Sequence, residues 1–167
     1  MPMDNDDVIS VLNDLIETCE DGVKGFRAAV DAVQSPRARA VFTTRIDYIE
    51  RAESDLRAVV RRLGGNPEHH GSATGAMHRG WLNLKAAVTG KDDDAIIAEC
   101  ERGENAAVER YEDALKKELP PDIRQLVDQQ YRGTLQNRDR VRELRQTLHG
   151  APASAPLRPD REAPPPA

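Results

Sequence analysis

The stretch AECERGENAAVERY, residues 98–111, carries four glutamates in fourteen positions and is the part of the chain where chemistry is most readily expected. Glutamates on facing helices are the ligands of di-metal centres in helical bundles. Two helices each supply one Glu, and the other two each supply a Glu-x-x-His pair, all pointing inward. The glutamates of residues 98–111 can bind metal in this way only if they face the interior of such a bundle, which the helix period of about 100° per residue decides.

Apolar residues recur every three or four positions over four long stretches, which predicts helices at about residues 8–33, 36–63, 92–117 and 121–149. Ser35 and Pro36 are typical of an N-cap and a first helical residue, and Gly64 of a left-handed C-cap. A shorter helix is predicted at about residues 72–88, inside the long connection between the second and third long helices. Two tight hairpins joined by one long crossover predict an all-α fold, a ferritin-like four-helix bundle over residues 5–149.

The C-terminal segment, residues 150–167, differs in composition from the helices. Its last seventeen residues, APASAPLRPDREAPPPA, contain six prolines and almost no large apolar side chain. Such a segment cannot bury a core, and we predict a disordered Pro/Ala-rich tail.

Composition excludes several classes of protein. The net charge is −5 and the Lys and Arg residues are dispersed, whereas nucleic-acid binding usually requires a concentrated basic face. No apolar run approaches the roughly 18 residues of a membrane span, and the acidic start MPMDNDD does not resemble a secretory signal. We therefore predict a cytoplasmic protein that binds neither nucleic acid nor membrane. Its two cysteines, Cys19 and Cys100, are expected to be core thiols.

On the third long helix the glutamates are not equivalent. Glu104 falls within the apolar stripe, Glu99 and Glu101 flank it, and Glu109 points outward. On the first helix we expect no carboxylate inside the stripe: Glu20 lies at its flank, whereas Glu17 and Asp14 point away.

The inward positions of the remaining helices are polar in the middle of the bundle, but they are not metal-ligand types. None of the four histidines falls there, because His69 and His70 lie in a loop, His78 on the short helix and His149 at the end of the last helix. The predicted inward polar layer consists of Arg45, Glu53, Glu104, Gln130, Thr134, Asn137 and Arg138.

Arginine competes with a cation for carboxylates, so this composition predicts an ion-paired layer that sets helix register, with no metal or other cofactor. The alternative is a reduced di-iron site with the ligands Glu20, Glu53, Glu101 and Glu104.

The segments GSATGAMHRGWLNLKAAVTG, ECERGENAA and ELPPDIRQLVDQQY resemble a bacterial family of four-helix-bundle proteins in the ferritin-like superfamily, known chiefly as a domain of unknown function. The resemblance covers residues 5–148. It implies a ferritin-like bundle in a cytoplasmic protein, sometimes linked to stress responses, and brings no established reaction. It also implies that relatives often carry His where this chain has Arg138, so this member departs from a metal-competent pattern.

The leading functional hypothesis is a non-catalytic helical bundle that acts as a structural or interaction protein associated with stress. The alternative is a di-metal oxidase or iron-handling protein with the reduced ligand set. A third hypothesis is a homo-oligomer whose helices bury a partner surface. The sequence names no substrate and no protein partner.

Overall fold

The computed structural model describes residues 3–68, 81 and 83–148. They form five helices: α1 (Asn5–Ala32), α2 (Pro36–Arg62), α3 (Leu84–Gly90), α4 (Asp93–Leu115) and α5 (Pro121–Leu148). No strand occurs in these ranges, and the predicted all-α bundle of two hairpins with a crossover is confirmed.

The ends of the long helices follow the predicted capping chemistry. The Ser35 hydroxyl accepts a hydrogen bond from the backbone N–H of Ala38 at 3.2 Å, and Pro36 begins α2. Gly64, just past the end of α2, has a φ of +85°, which only glycine adopts without strain. These local signals explain why the boundaries of the long helices could be predicted to within a few residues.

Neighbouring long helices run antiparallel around the bundle. At opposite ends of α2, Arg62 pairs with Asp122 at 3.1 Å and Arg37 pairs with Glu143 at 3.6 Å, so α5 runs against α2. α1 packs against both α2 and α4 and is the most enclosed of the four.

The apolar stripes meet in one continuous core. Phe26 and Phe42 are fully buried with ring centroids 5.4 Å apart, and Leu12, Leu56 and Ile96 are likewise enclosed. Full burial of each such side chain contributes about 1.5–3 kcal/mol, so the heptad stripes are the main source of stability. Within the described ranges, no helix is both long and apolar enough to cross a membrane.

The turn between α1 and α2 is tied to the start of α4 by one carboxylate. The two side-chain oxygens of Asp93 accept hydrogen bonds from the backbone N–H groups of Gln34 and Ser35, each at 2.8 Å. The same side chain lies in the first turn of α4, where the helix dipole favours negative charge.

The crossover differs from its prediction. The described part of the predicted helix 72–88 contains a single 3₁₀ turn at Trp81 and then α3, which begins only at Leu84. The backbone N–H of Asn83 donates to the Glu99 carboxylate at 3.0 Å instead of to a helical carbonyl, which explains the late start. Residues 72–80, the four histidines and the tail 150–167 lie outside the described residues.

One prediction of side-chain direction on α1 is wrong. Glu17, expected to point away, is only 1% exposed. α1 is enclosed on a further side because the connection after α2 and Trp81 cover it: Asn13 donates to the Asn66 carbonyl at 3.3 Å, and Gly25 lies under the Trp81 ring. The apolar stripe predicts only the side of α1 that faces neighbouring long helices. It does not predict burial on the side that contacts Asn66 and Trp81.

Candidate functional site

The centre of the bundle holds a buried ion pair between α2 and α4. Arg45 Nε donates to Glu104 Oε1 at 2.9 Å, and its Nη2 donates to Oε2 at 3.1 Å. The two side chains are only 5% and 1% exposed. This bidentate geometry is the strongest that a guanidinium and a carboxylate can form, and it engages both oxygens of the inward glutamate.

Polar side chains on α5 extend this pair into a layer. Arg45 Nη2 also donates to the Thr134 hydroxyl at 3.2 Å, and Thr134 in turn donates to the Gln130 carbonyl at 2.9 Å. The Arg45 guanidinium lies 5.3 Å from the centroid of the Tyr48 ring, within range of a cation–π contact. Arg45 is therefore held by groups on two other helices and by its own helix.

The electrostatics of Glu104 reflect two opposing effects. Burial raises the pKa of this carboxyl above its ordinary value, while the charge and hydrogen bonds of Arg45 and the amide of Asn137 act to lower it. Arg138 lowers the pKa further from the edge of the layer, where it is 23% exposed. Arg45 thus provides the main compensation for the burial of Glu104.

A second polar layer lies next to the first along the bundle axis. The Tyr111 hydroxyl donates to Gln130 Oε1 at 2.9 Å, and Gln130 Nε2 donates to the Ala52 carbonyl at 3.2 Å. Cys19 Sγ lies 3.8 Å from the same hydroxyl. Burial raises the pKa of Cys19 to about 12 and that of Tyr111 well above its usual value, so both groups remain neutral at physiological pH.

The two cysteines are both buried and free. α1 and α4 run antiparallel, with Cys19 opposite Tyr111. Cys100 is therefore displaced from Cys19 by roughly 16 Å along the axis at 1.5 Å per residue. A disulfide requires Cα atoms within about 7 Å, so the pair cannot form one in this fold.

Glu53, expected in the central layer with Arg45, lies instead in a separate cluster around Arg57. Arg57 donates to Glu53 Oε1 at 2.9 and 3.1 Å and to Glu20 Oε1 at 2.5 Å, and it also binds Glu68. Burial lowers the pKa of Arg57, but the three carboxylates outweigh burial and the pKa is raised overall. The predicted layer is therefore divided between two arginines.

The remaining glutamates of residues 98–111 have other roles. Glu101 pairs with Arg142 at 2.9 Å and with Arg145 at 3.6 Å on α5. Glu99, expected at the flank, is buried where it accepts the Asn83 N–H and lies 3.7 Å from Arg102. Glu109 is exposed. Only Glu104 enters the central layer.

Trp81 lies across α1 and α4 on two glycines. A Cβ at Gly25 would lie 2.6 Å from the indole ring, and one at Gly103 would overlap the ring even more closely. The indole meets the Phe26 ring edge-on at a centroid distance of 5.3 Å. These two helical glycines create the groove in which the Trp81 ring lies.

A cavity of about 40 Å³ lies below Trp81 and beside the Arg45–Glu104 pair. We call it the central cavity. Among the described residues, it is lined by Thr18, Cys19, Asp21, Gly22, Arg45, Tyr48, Ile49, Ala52, Trp81, Gly103, Glu104, Ala106, Ala107, Arg110, Tyr111 and Thr134.

Two features were not predicted from the sequence: the buried polar row on α1, and the contact of Trp81 with Gly25 and Gly103. Asn13, Glu17 and Asp21 are buried and follow one another at intervals of four residues, and Gly25 continues the row. That spacing is readable in the sequence, but only the contacts of Asn66 and Trp81 with α1 show that this side of the helix is covered. Gly25 and Gly103 lie inside predicted helices, where an isolated glycine often indicates that another group packs closely against the backbone.

The four glutamates of the alternative di-iron site do not come together, because Glu104 pairs with Arg45, Glu101 with Arg142, and Glu20 and Glu53 with Arg57. Among the described residues, no three His, Cys, Asp or Glu side chains are grouped closely enough to hold a metal ion. The one carboxylate at the centre is bound through both oxygens by Arg45.

Comparison with known proteins supports the fold. Residues 7–117 match the model of a family described as a domain of unknown function (DUF2383). The chain also resembles the crystal structure of a two-domain protein from Anabaena variabilis that contains DJ-1/ThiJ/PfpI-like and ferritin-like domains. The TM-score is 0.74 at 15% sequence identity, and the match covers 97% of this chain and 42% of that protein. Among curated proteins, none matches the sequence. The predicted ferritin-like fold and the resemblance to a family of unknown function are both confirmed.

Proposed function

We propose that this chain, which belongs to the DUF2383 family, is a non-catalytic ferritin-like bundle that acts as a structural or interaction module. In this proposal the buried Arg45–Glu104 pair occupies the position at the bundle centre where di-metal proteins place their ligands. The pair sets the register of α2 against α4 and takes no part in a reaction.

One observation carries the proposal: an arginine engages every carboxylate that the alternative di-iron site would need. Glu104 is held by Arg45, Glu101 by Arg142, and Glu20 and Glu53 by Arg57. These are three separate clusters.

A metal ion at the centre would have to displace the Arg45 guanidinium from Glu104 and leave that cation buried without its partner. Breaking a buried pair in this way costs about 3–5 kcal/mol before any ligand bond forms. The neighbouring groups, Thr134 and Asn137, offer only neutral oxygens, which suit redox-active iron poorly. This cost and these neutral neighbours argue against di-iron chemistry around Glu104.

The interaction role rests on the kind of protein in which this fold is found. In the Anabaena variabilis protein, a ferritin-like domain is joined to a DJ-1/ThiJ/PfpI-like domain, so such a bundle can serve as one module beside another. The association with stress responses and the cytoplasmic location rest on the family resemblance and are part of the proposal. Self-association is the simplest form of an interaction role, and light scattering across a range of concentrations measures it. A strictly monomeric protein at high concentration would count against a homo-oligomer.

The proposal is tested by metal content and ferroxidase activity. The wild-type chain is purified without chelators beside Glu104→Gln and the matched surface variant Glu109→Gln, and iron, manganese and zinc are measured by elemental analysis. We expect the same substoichiometric metal content in all three proteins and no iron oxidation above a protein-free blank. Two equivalents of tightly bound metal that Glu104→Gln loses and Glu109→Gln keeps would overturn the proposal.

A further inference from the structure

The central cavity is large enough for an organic ligand. A buried water needs roughly 10–15 Å³ of space for its centre, so a cavity of about 40 Å³ holds about three waters. Three waters fill roughly 90 Å³ of liquid, a volume comparable to one small aromatic ring. The space exists because α1, α2 and α4 all place small residues around it, namely Gly22, Ala52, Gly103, Ala106 and Ala107.

Part of the cavity lining is apolar. The Trp81 ring, the Ile49 side chain and three alanines form this part. An aromatic ring packed beside an indole gains from stacking as well as from burial, whereas waters against such a wall lose hydrogen bonds.

The lining also includes the Arg45 guanidinium, which keeps one nitrogen free to donate. Arg45 commits its Nε and Nη2 to Glu104 and Thr134, and its Nη1 donates to no group in the described part of the chain. The hydroxyls of Tyr111 and Thr134, which also line the cavity, already donate to Gln130. The cavity therefore offers guanidinium N–H groups and requires an acceptor from its occupant.

The charges of the described residues that line the cavity balance. Among them, Asp21 and Glu104 oppose Arg45 and Arg110, which gives these four side chains no net formal charge. An anion entering beside Arg45 would face the Glu104 carboxylate, and a cation would face two arginines. The electrostatics thus select a neutral occupant.

We propose that the central cavity binds a small neutral aromatic alcohol of the phenol class. Its ring packs against Trp81, its oxygen accepts a hydrogen bond from Arg45 Nη1, and its O–H donates to the Glu104 carboxylate, which also lines the cavity. This binding role is independent of whether the protein is catalytic, because it uses only the space and the free donors beside the ion pair.

Calorimetric titration of the full chain with phenol, benzene and benzoate tests the ligand class. We expect one phenol site per chain. Benzene should bind about tenfold or more weakly, because it lacks the hydrogen bond to a charged donor. Benzoate should show no binding, because its carboxylate would be buried beside Glu104. Absence of phenol binding, or benzoate binding as tight as that of phenol, would overturn the proposal.

A cavity-filling variant tests the location. Ala107→Leu should abolish phenol binding, while the matched variant Ala40→Leu on the exposed face of α2 should leave it unchanged. Circular dichroism establishes that both variants fold. If Ala107→Leu folds and still binds phenol like the wild type, the site is not the central cavity. If Ala107→Leu does not fold, the titrations of the wild-type chain with phenol, benzene and benzoate test the proposal.

Discussion

At the level of single residues, the Arg45–Glu104 pair combines a large desolvation penalty with two well-aligned hydrogen bonds. Continuum arguments and experiments agree that such a pair adds little net stability compared with apolar side chains of similar size. Removing one partner is different, because it leaves the other charge buried and uncompensated. The pair is therefore expected to specify register more than to stabilise the fold.

Comparison of a single variant with a variant that replaces both partners separates these two effects. We expect Glu104→Gln to lower the free energy of unfolding by about 3–5 kcal/mol, because Arg45 keeps its charge and loses its counter-ion. The double variant Arg45→Met, Glu104→Leu should recover most of that loss. Urea denaturation measures both, with Glu109→Gln, an exposed glutamate of the same helix, as the control that should change by less than about 0.5 kcal/mol. A double variant as unstable as Glu104→Gln alone would show that the pair itself is stabilising.

Cys19 supplies a prediction on pH. Its pKa is about 12 in the folded protein, against an ordinary value of 9.0, because burial disfavours the thiolate. The neutral thiol's contribution to stability is thus complete below pH 9.0, and it is lost as the pH rises through about 12, because only the unfolded thiol ionises in that window. The stability of the wild type relative to Cys19→Ala should fall by about 1.4 kcal/mol per pH unit across the window. Urea midpoints at several pH values measure the difference, and a difference independent of pH would contradict the burial of this thiol.

At the level of elements, α1 and α4 come together around Trp81. The two glycines under the indole allow the ring to lie in the groove between these helices, and the ring also contacts Phe26. This contact fixes the end of the crossover on the bundle. A glycine inside a helix costs about 0.5–1 kcal/mol relative to alanine, so its presence in both helices requires a packing reason.

Gly103→Ala tests that reason. The added methyl group would overlap the indole, and we expect a loss of about 1–3 kcal/mol in the free energy of unfolding and a red shift of the emission of Trp81, the single tryptophan. Gly90→Ala is the matched control, because nothing lies within 4 Å of its would-be Cβ. That variant should be neutral or slightly stabilising. If Gly103→Ala and Gly90→Ala changed the free energy of unfolding equally, close packing of Trp81 on Gly103 would be excluded.

Arg57 links α1, α2 and the segment that leaves α2. It binds Glu20, Glu53 and Glu68 while only partly buried. We expect Arg57→Met to lower the free energy of unfolding by about 1–2 kcal/mol, because three carboxylates lose a shared partner and repel one another. The exposed pair of Arg62 with Asp122 provides the comparison, and Arg62→Met should change stability by less than about 0.5 kcal/mol. Thermal denaturation at low and high salt would distinguish the Arg57 cluster from the Arg62–Asp122 pair, since only the exposed pair is strongly screened.

At the level of the whole molecule, the bundle closes through its apolar stripes, and residues beyond α5 are not expected to add to the core. The segment 150–167 carries little apolar surface to bury. A chain ending after residue 149 should therefore keep the urea midpoint of the full chain to within error. A chain ending after Arg142 removes the buried Leu144 and should lose about 2–5 kcal/mol. A large effect of the first truncation would show that the tail contributes to the fold.

The helices and their inward faces were readable from local information. The apolar spacing of Leu12, Phe26 and Phe42 identifies core positions, and Ser35 with Pro36 identifies a helix start, because helix period and capping depend only on residues a few positions apart. The sequence also identified Glu104 as the inward glutamate of its segment, and the structure places it against Arg45.

The choice of partners was decided by the tertiary structure alone. Glu53 was predicted to share a layer with Arg45, but it binds Arg57, one turn away on its own helix, while Arg45 crosses the bundle to Glu104. Glu17 is buried on a side of α1 outside its apolar stripe, between Asn13, which contacts Asn66, and Gly25, which lies under Trp81. Periodicity shows which way a side chain points from its own helix. It carries no information on which charge or covering segment the fold brings opposite, because that depends on contacts between residues far apart in the chain.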